Sequence, residues 1–337
     1  MTRTIAALLG TTIAASTLTA AQAQELNLYS SRHYDTDERL YSDFEELTGI
    51  TINRIEGNAD ELIARLAAEG ENSPADVFLT VDTSRLARAQ EMGLLQPVES
   101  EILEERIPAN IQAEDNTWFG FSQRARIIFH AAGLENPPQT YLELADPAYE
   151  GMICIRSSTN TYNQTLLASI IENHGEDAAR EWAAGIVANM ARDPQGGDTD
   201  QLRGIVSGEC EIAVSNSYYF ARAIRTEVEG VSGSIEMIDW VWPDQGGNGA
   251  HMNLSGGGVA AHAPHPEAAV AFLEYLASDQ AQQYFSAGND EFPAVEGVEL
   301  AESVAALGEF EADDVNLSAV AQNLGLAQQI FNEVGWE

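Results

Sequence analysis

Hydrophobic positions along the chain recur with two periods, and the two alternate. Leu26-Asn-Leu-Tyr-Ser30 reads as a short strand, and Asp35 with Glu38 three residues on reads as a capped helix start. Leu40, Phe44 and Leu47 then share one helical face, with Gly49 expected just past the helix end. Ile50–Ile55 predicts the next strand, and a helix follows from about Asp60 to Ala68, stopped by Gly70. Ala75–Val81 has the continuous apolar run of a buried strand, and the helix after it ends near Gly93. Repeated strand–helix units of this kind predict an α/β fold. Its open sheet carries helices on both faces and takes ligands at the carboxyl ends of the strands.

Around Trp118 the pattern changes. Trp118–Phe129 is a long extended run in which Ala125, Ile127 and Phe129 alternate with Arg124, Arg126 and Ile128, long enough to cross from one lobe to another. A second series follows: a strand at Gly151–Ile155, helices near Leu166–Ile171 and Glu181–Met190, and a strand ending at Val214. The glycine-rich Ser255–Gly258 and Val259–Ala261 suit a second crossing strand. Amphipathic helices follow at His265–Leu276 and Asp279–Phe285. The expected organisation is two lobes: 24–122 with 255–337, including the C-terminal helices, and 123–254 between them.

Composition narrows the function. Acidic residues number 53 against 16 basic ones, for a formal charge of −37, and every basic residue is Arg. A field of that sign repels phosphate backbones and anionic headgroups, which argues against nucleic-acid and membrane-surface binding. An apolar content of 45% is ample for a core. Arg3 is the only charge before Glu25, the run Ile5–Ala21 is apolar and small, and Ala21-Gln22-Ala23 is an A-x-A site. This predicts a secretory signal peptide over 1–23, cleaved after Ala23, and hence an exported protein. No later segment approaches the roughly 20 apolar residues of a spanning helix, so no membrane insertion is expected. Two cysteines remain, Cys154 and Cys210, each in a strand-like run. An exported chain permits one disulfide between them, and the bridge is expected over two buried thiols. Two cysteines are too few for a structural zinc site.

Catalytic patterns are absent: the chain has no G-x-S-x-G elbow, no phosphate-binding Walker loop and no H-E-x-x-H. The conspicuous positions are phenols after strands. Tyr34 sits beside His33, Tyr162 follows the Cys154 strand, and Tyr218 and Tyr219 follow the Cys210 strand directly. One aromatic in such a place is usually packing, but two successive residues on a helix cannot share one core face. A free phenol has a pKa near 10, so only a strong Lewis acid makes it a ligand at neutral pH. Phenolate is a hard anion and suits a hard, highly charged cation, for which iron(III) is the natural choice. Four phenolates leave a trivalent ion one unit negative, so nearby arginine would help. Arg124, Arg126 and Arg222 are the candidates by position.

Several of these segments together resemble a known family. Tyr29–Asp37, Ser73–Val77, Thr80-Val-Asp82, Arg124-Ala-Arg126, Tyr162-Asn-Gln164 and Asn216–Tyr219 are similar to the ferric-iron-binding periplasmic proteins of ABC importers. These are the FbpA group, and the likeness is greatest to its cyanobacterial FutA type. The resemblance implies a two-lobed, hinge-closing binding fold of type II with two crossing strands. It implies the ligand set His33, Tyr34, Tyr162, Tyr218 and Tyr219, with Arg124 in an outer sphere. It implies Fe3+ as transported cargo, with Fe2+ the other oxidation state to consider, an inner-membrane ABC permease as partner, and a monomer rather than an enzyme. Two rivals stand beside this reading. One is a binding protein of the same fold for an organic cation, a polyamine or thiamine. The other is a secreted hydrolase using His33 or His251 as base. Tyr141, outside the motifs, is expected to tolerate replacement by Phe without consequence.

Overall fold

The computed structural model describes Glu25–Arg32 and Tyr34–Glu337. The signal peptide expected over 1–23, and His33, lie outside the described residues. In the first part of the chain lie β1 (Glu25–Ser30), α1 (Glu38–Thr48), β2 (Thr51–Glu56), α2 (Ala59–Glu69), β3 (Val77–Val81), α3 (Thr83–Glu91), β4 (Leu95–Gln96) and α4 (Glu101–Arg106). Next come β5 (Phe119–Ala131), β6 (Ile153–Cys154), α5 (Thr161–His174), α6 (Glu176–Asn189), α7 (Asp198–Ser207), β7 (Ile212–Asn216), α8 (Ser217–Arg225) and β8 (Ile238–Val241). The chain ends with β9 (Met252–Ala260), α9 (Pro266–Leu276), α10 (Asp279–Asn289), β10 (Phe292–Pro293), α11 (Glu302–Ala305), α12 (Leu317–Gln322) and α13 (Leu324–Val334). Among the described residues no helix is long and apolar enough to cross a membrane.

The strands run in the order β2-β1-β3-β9-β5-β7-β6. Parallel pairs β1–β2, β1–β3 and β6–β7 lie at the two ends, as strand–helix–strand units dictate. Antiparallel β5 and β9 lie between them. β5 pairs with β9 over Phe119–Ala125, then with β7 from Arg126 to His130, so it passes from one half of the sheet into the other. The glycines of β9 have a steric reason. A Cβ on Gly256 would meet the Phe119 carbonyl oxygen at 2.4 Å, and one on Gly258 the Thr117 carbonyl oxygen at 2.2 Å. The crossing strand lies where only bare backbone fits.

Local expectations hold where local forces decide. Gly49 closes α1 in the left-handed region at φ 72°, and Leu40 and Phe44 are buried. The entry to α1 takes another form than a single capped start. Asp35–Asp37 forms a 3-10 turn, α1 begins at Glu38, and the carboxylates of Asp37 and Glu38 go to Arg32 and Arg54 instead. Leu47, expected on the core face, is 63% exposed. The last helices also depart from the expected division. α11 packs on α8, and α13 lies on α5 and α6. Trp336 is buried against Trp182, and α12 touches both α3 and α5. The end of the chain is therefore not confined to the lobe of β1–β3.

Cys154 and Cys210 form a disulfide, with Cα atoms 5.8 Å apart. Gly204 makes room for it, since a Cβ there would lie 2.6 Å from the Cys210 sulfur. The bridge joins β6 to the segment entering β7, the two strands that lead into α5 and α8.

Candidate metal centre

Three strand-to-helix junctions converge on one cleft. Tyr34 lies between β1 and the 3-10 turn, Tyr162 is the second residue of α5, and Tyr218 and Tyr219 are the second and third of α8. The last three are thus in first turns of helices rather than in loops, where the helix end carries partial positive charge and favours an anion. Tyr162 and Tyr218 have their hydroxyl oxygens 3.3 Å apart. The rings of Tyr218 and Tyr219 lie 4.2 Å apart between centroids. Tyr218 is buried, while Tyr34, Tyr162 and Tyr219 each keep part of their surface open.

The surroundings hold the phenols neutral. Burial pushes the Tyr218 hydroxyl well above its ordinary value, and the neighbouring Tyr162, Tyr219 and Tyr34 add to this against a lowering by Arg124. Tyr34 is raised by burial and then by the Glu291 charge, against Arg32 and Arg124. Tyr219 is raised by burial and then by Asp198. Each would need a strong Lewis acid to ionise. Among the described residues no group of three or more His, Cys, Asp or Glu could hold a metal.

Around the phenols stand arginines, of which Arg32, Arg124 and Arg126 are buried and Arg156 and Arg222 half-buried. Arg124 and Arg126 on β5, and Arg156 before α5, lie 5.7, 5.8 and 5.6 Å from the Tyr162 ring. Arg32 lies 5.0 Å from that of Tyr34, and Arg222 is 5.6 Å from that of Tyr218. Arg126 donates to Asp198, to Asn216 at 3.2 Å and to Asn163 at 2.8 Å. Arg156 reaches the other oxygen of Asp198 at 3.2 Å. Arg124 donates to Ser255 at 2.9 Å and faces Glu291 at 3.7 Å, while its Nε and Nη2 are buried without a partner. Beside the phenols a cavity of about 580 Å³ opens between Ser31, Asn58, Arg85, Arg156 and Tyr219.

Arg124, Arg126 and Arg222 thus lie beside phenol rings. Arg32, Arg156, Asp198 and Glu291 were not foreseen. Arg32 lies inside the Tyr29–Asp37 motif and was legible there, but Arg156 stands outside the quoted motifs, and Asp198 and Glu291 meet the site only through the topology. His251, the second base weighed for the hydrolase alternative, lies away from solvent. Its imidazole is buried, and burial with the charges of Arg126 and Arg124 pushes it down to about 3. Tyr141 is not idle either. Its buried hydroxyl donates to the Arg126 carbonyl on β5 and accepts from the His251 N–H at 3.0 Å, joining the two crossing segments.

The family described as bacterial extracellular solute-binding protein matches residues 39–312. The chain belongs to that family. Within it the chain falls with the iron uptake and ferric-binding proteins. It is 47% identical over 321 residues to iron uptake protein A1 of Synechocystis sp., covering 95% of this chain and 89% of the relative. Among solved structures it is similar to Trichodesmium FutA (IdiA) in complex with iron and citrate, with a TM-score of 0.90 and 47% identity over 93% of this chain and all of the other. It is similar also to apo FutA2 of Synechocystis, with a TM-score of 0.89 and 44% identity over 94% and 100%. The solute-binding family accounts for the architecture: two lobes of type II topology, joined by β5 and β9 behind the cleft. These relatives are iron-binding and uptake proteins rather than enzymes.

Proposed function

We propose that this chain captures iron(III) in the interlobe cleft of a periplasmic binding protein and delivers it to an inner-membrane ABC permease. The ligands in this reading are Tyr34, Tyr162, Tyr218 and Tyr219, with His33 as the fifth. Convergence of four phenols from three junctions is the observation that carries it, because phenolates favour a hard trivalent ion. Tyr34 precedes the first crossing strand, while Tyr162 and Tyr218–Tyr219 follow it, so a shared ion would bridge the lobes and favour their closed state. We assign 24–122 and the segment from Ser255 through β10 to the first lobe. The second lobe takes 123–254, with α11 and α13 packed on it and α12 between the two.

The arginines support this reading against an organic cation. A polyamine or thiamine would face Arg32, Arg124, Arg126 and Arg156, while Asp37, Asp198 and Glu291 are already engaged with these arginines. A ferric tetraphenolate carries one negative charge and suits such a shell. Metal analysis with a visible spectrum tests the reading: the iron-loaded protein absorbs in the visible through phenolate-to-iron charge transfer. Tyr218→Phe and Tyr219→Phe each weaken binding and shift or bleach that band. Full affinity and an unchanged spectrum in either variant would refute the adjacent-tyrosine site.

A further inference from the structure

Three consecutive residues at the end of α10 bind three different parts of the site. Asn289, Asp290 and Glu291 are all buried, at 2, 0 and 1% exposure. Asp290 takes the left-handed conformation at φ 60°, which ends the helix and turns the three side chains in different directions.

Asn289 serves the Tyr34 junction. Its amide donates to Asp37 at 3.0 Å and its carbonyl accepts from Thr36. Asp37 in turn holds Arg32 through two bonds, at 2.8 and 3.0 Å, and Arg32 lies over Tyr34. The fit is close, because a Cβ on Gly288 would lie 2.9 Å from Thr36. Asp290 serves α8. It takes a two-bond ion pair from Arg225 at 2.8 and 2.7 Å, and Arg225 also donates to the Gly288 carbonyl at 3.0 Å. Arg225 is the last residue of the helix whose first turn carries Tyr218 and Tyr219. Glu291 serves the crossing strands. It accepts from Ser122 on β5 at 2.7 Å and from Ser255 on β9 at 3.4 Å. It also faces Arg124 at 3.7 Å and Arg32 at 3.6 Å.

We propose that Asn289, Asp290 and Glu291 are positioning residues of the phenol site, a single junction that holds the Tyr34 segment, helix α8 and both crossing strands in the arrangement that brings the phenols together. They act through Asp37, Arg225 and the strand serines. The inference rests on the phenolate reading above. In it, Arg225–Asp290 is the link most open to test. It joins the end of α8 to the end of α10, and Arg225 is partly exposed, so its loss leaves no large cavity.

The test uses mature, iron-loaded protein and follows decay of the visible band on adding excess chelator. Asp290→Asn keeps the shape, and asparagine tolerates the left-handed backbone, but the charge is lost. Arg225→Met removes the same pair from the other side and serves if the first variant folds poorly. Each should release iron about tenfold faster, with the band position unchanged because the ligands are intact. The double variant should be no faster than the faster single one, since both break one link. Release at the wild-type rate in the single variants, or fully additive effects in the double one, overturns the inference. So does a loss confined to the melting temperature of the iron-free protein, which would mark a merely structural pair. A wild-type protein without any visible band would refute the phenolate reading itself.

Discussion

Loading the cleft at neutral pH should expel close to one proton for every tyrosine that becomes a ligand. An ordinary phenol ionises near 10, and burial holds Tyr34, Tyr218 and Tyr219 above that value in the empty site. At pH 7 the metal must therefore supply at least about 4 kcal/mol per phenol to ionise it, at about 1.36 kcal/mol per pH unit. The sign follows directly. The free site binds the protons and the loaded site does not, so affinity falls on acidification and rises with pH until the free phenols themselves ionise, above about 10. Four phenols give a limiting slope of about four decades in affinity per pH unit. The assay is calorimetry of loading from a chelated iron donor in buffers of different ionisation enthalpy, with the donor's own proton balance subtracted. A net release near four agrees with the full set. A release near three means that one tyrosine only packs, and Tyr34 or Tyr162 is then the first to doubt. A release near zero refutes phenolate coordination and favours an organic cation on neutral rings.

Two further outcomes concern the frame around the cleft. Tyr141→Phe removes the hydroxyl between the Arg126 carbonyl and the His251 N–H, leaving a buried N–H without its acceptor. It should cost about 1–3 kcal/mol, read as a lower urea midpoint at unchanged m-value, and a wild-type midpoint would show that the bridge is not needed. Reducing Cys154–Cys210 opens a loop with a sequence separation of 56, worth about 4 kcal/mol at most in the chain-entropy model. Denaturation with and without reductant measures it, and two alkylatable thiols in denatured, unreduced protein would contradict the bridge.

What the chain discloses by itself is what local periodicity and local sterics govern. The alternation of strands and helices, the stop at Gly49 and the glycine-rich crossing strand all follow from forces within a few residues or from backbone clearance. The start of α1 does not: the helix is entered through a 3-10 turn over Asp35–Asp37, and Asp37 and Glu38 pair with Arg32 and Arg54, which lie outside this turn. Alternation along β5 marked Arg124 and Arg126 but could not tell that both are buried, since burial depends on β7 and β9 flanking the strand. Asp198 and Glu291 were out of reach for the same reason. Each pairs with an arginine distant in sequence, and nothing in its immediate neighbours announces it. The C-terminal helices were allotted by chain order, whereas Trp336 seats itself between Phe331 and Trp182 of α6.

The charge arrangement ties these misses to the function. The chain as a whole carries −37, a field that attracts any cation and distinguishes none. Inside the cleft the sign reverses. Arg32, Arg124, Arg126, Arg156 and Arg222 stand against the buried carboxylates Asp37, Asp82, Asp198 and Glu291, one positive charge in excess, with two donors of Arg124 still unpartnered. Buried charge of that kind is costly unless something answers it. An organic cation or a bare divalent ion on neutral phenols would add to the excess. A trivalent ion that ionises four phenols brings one net negative charge into the same shell and cancels it. Selectivity in this reading lies less in the donors than in the arginines, because they favour only the cargo strong enough to strip all four protons.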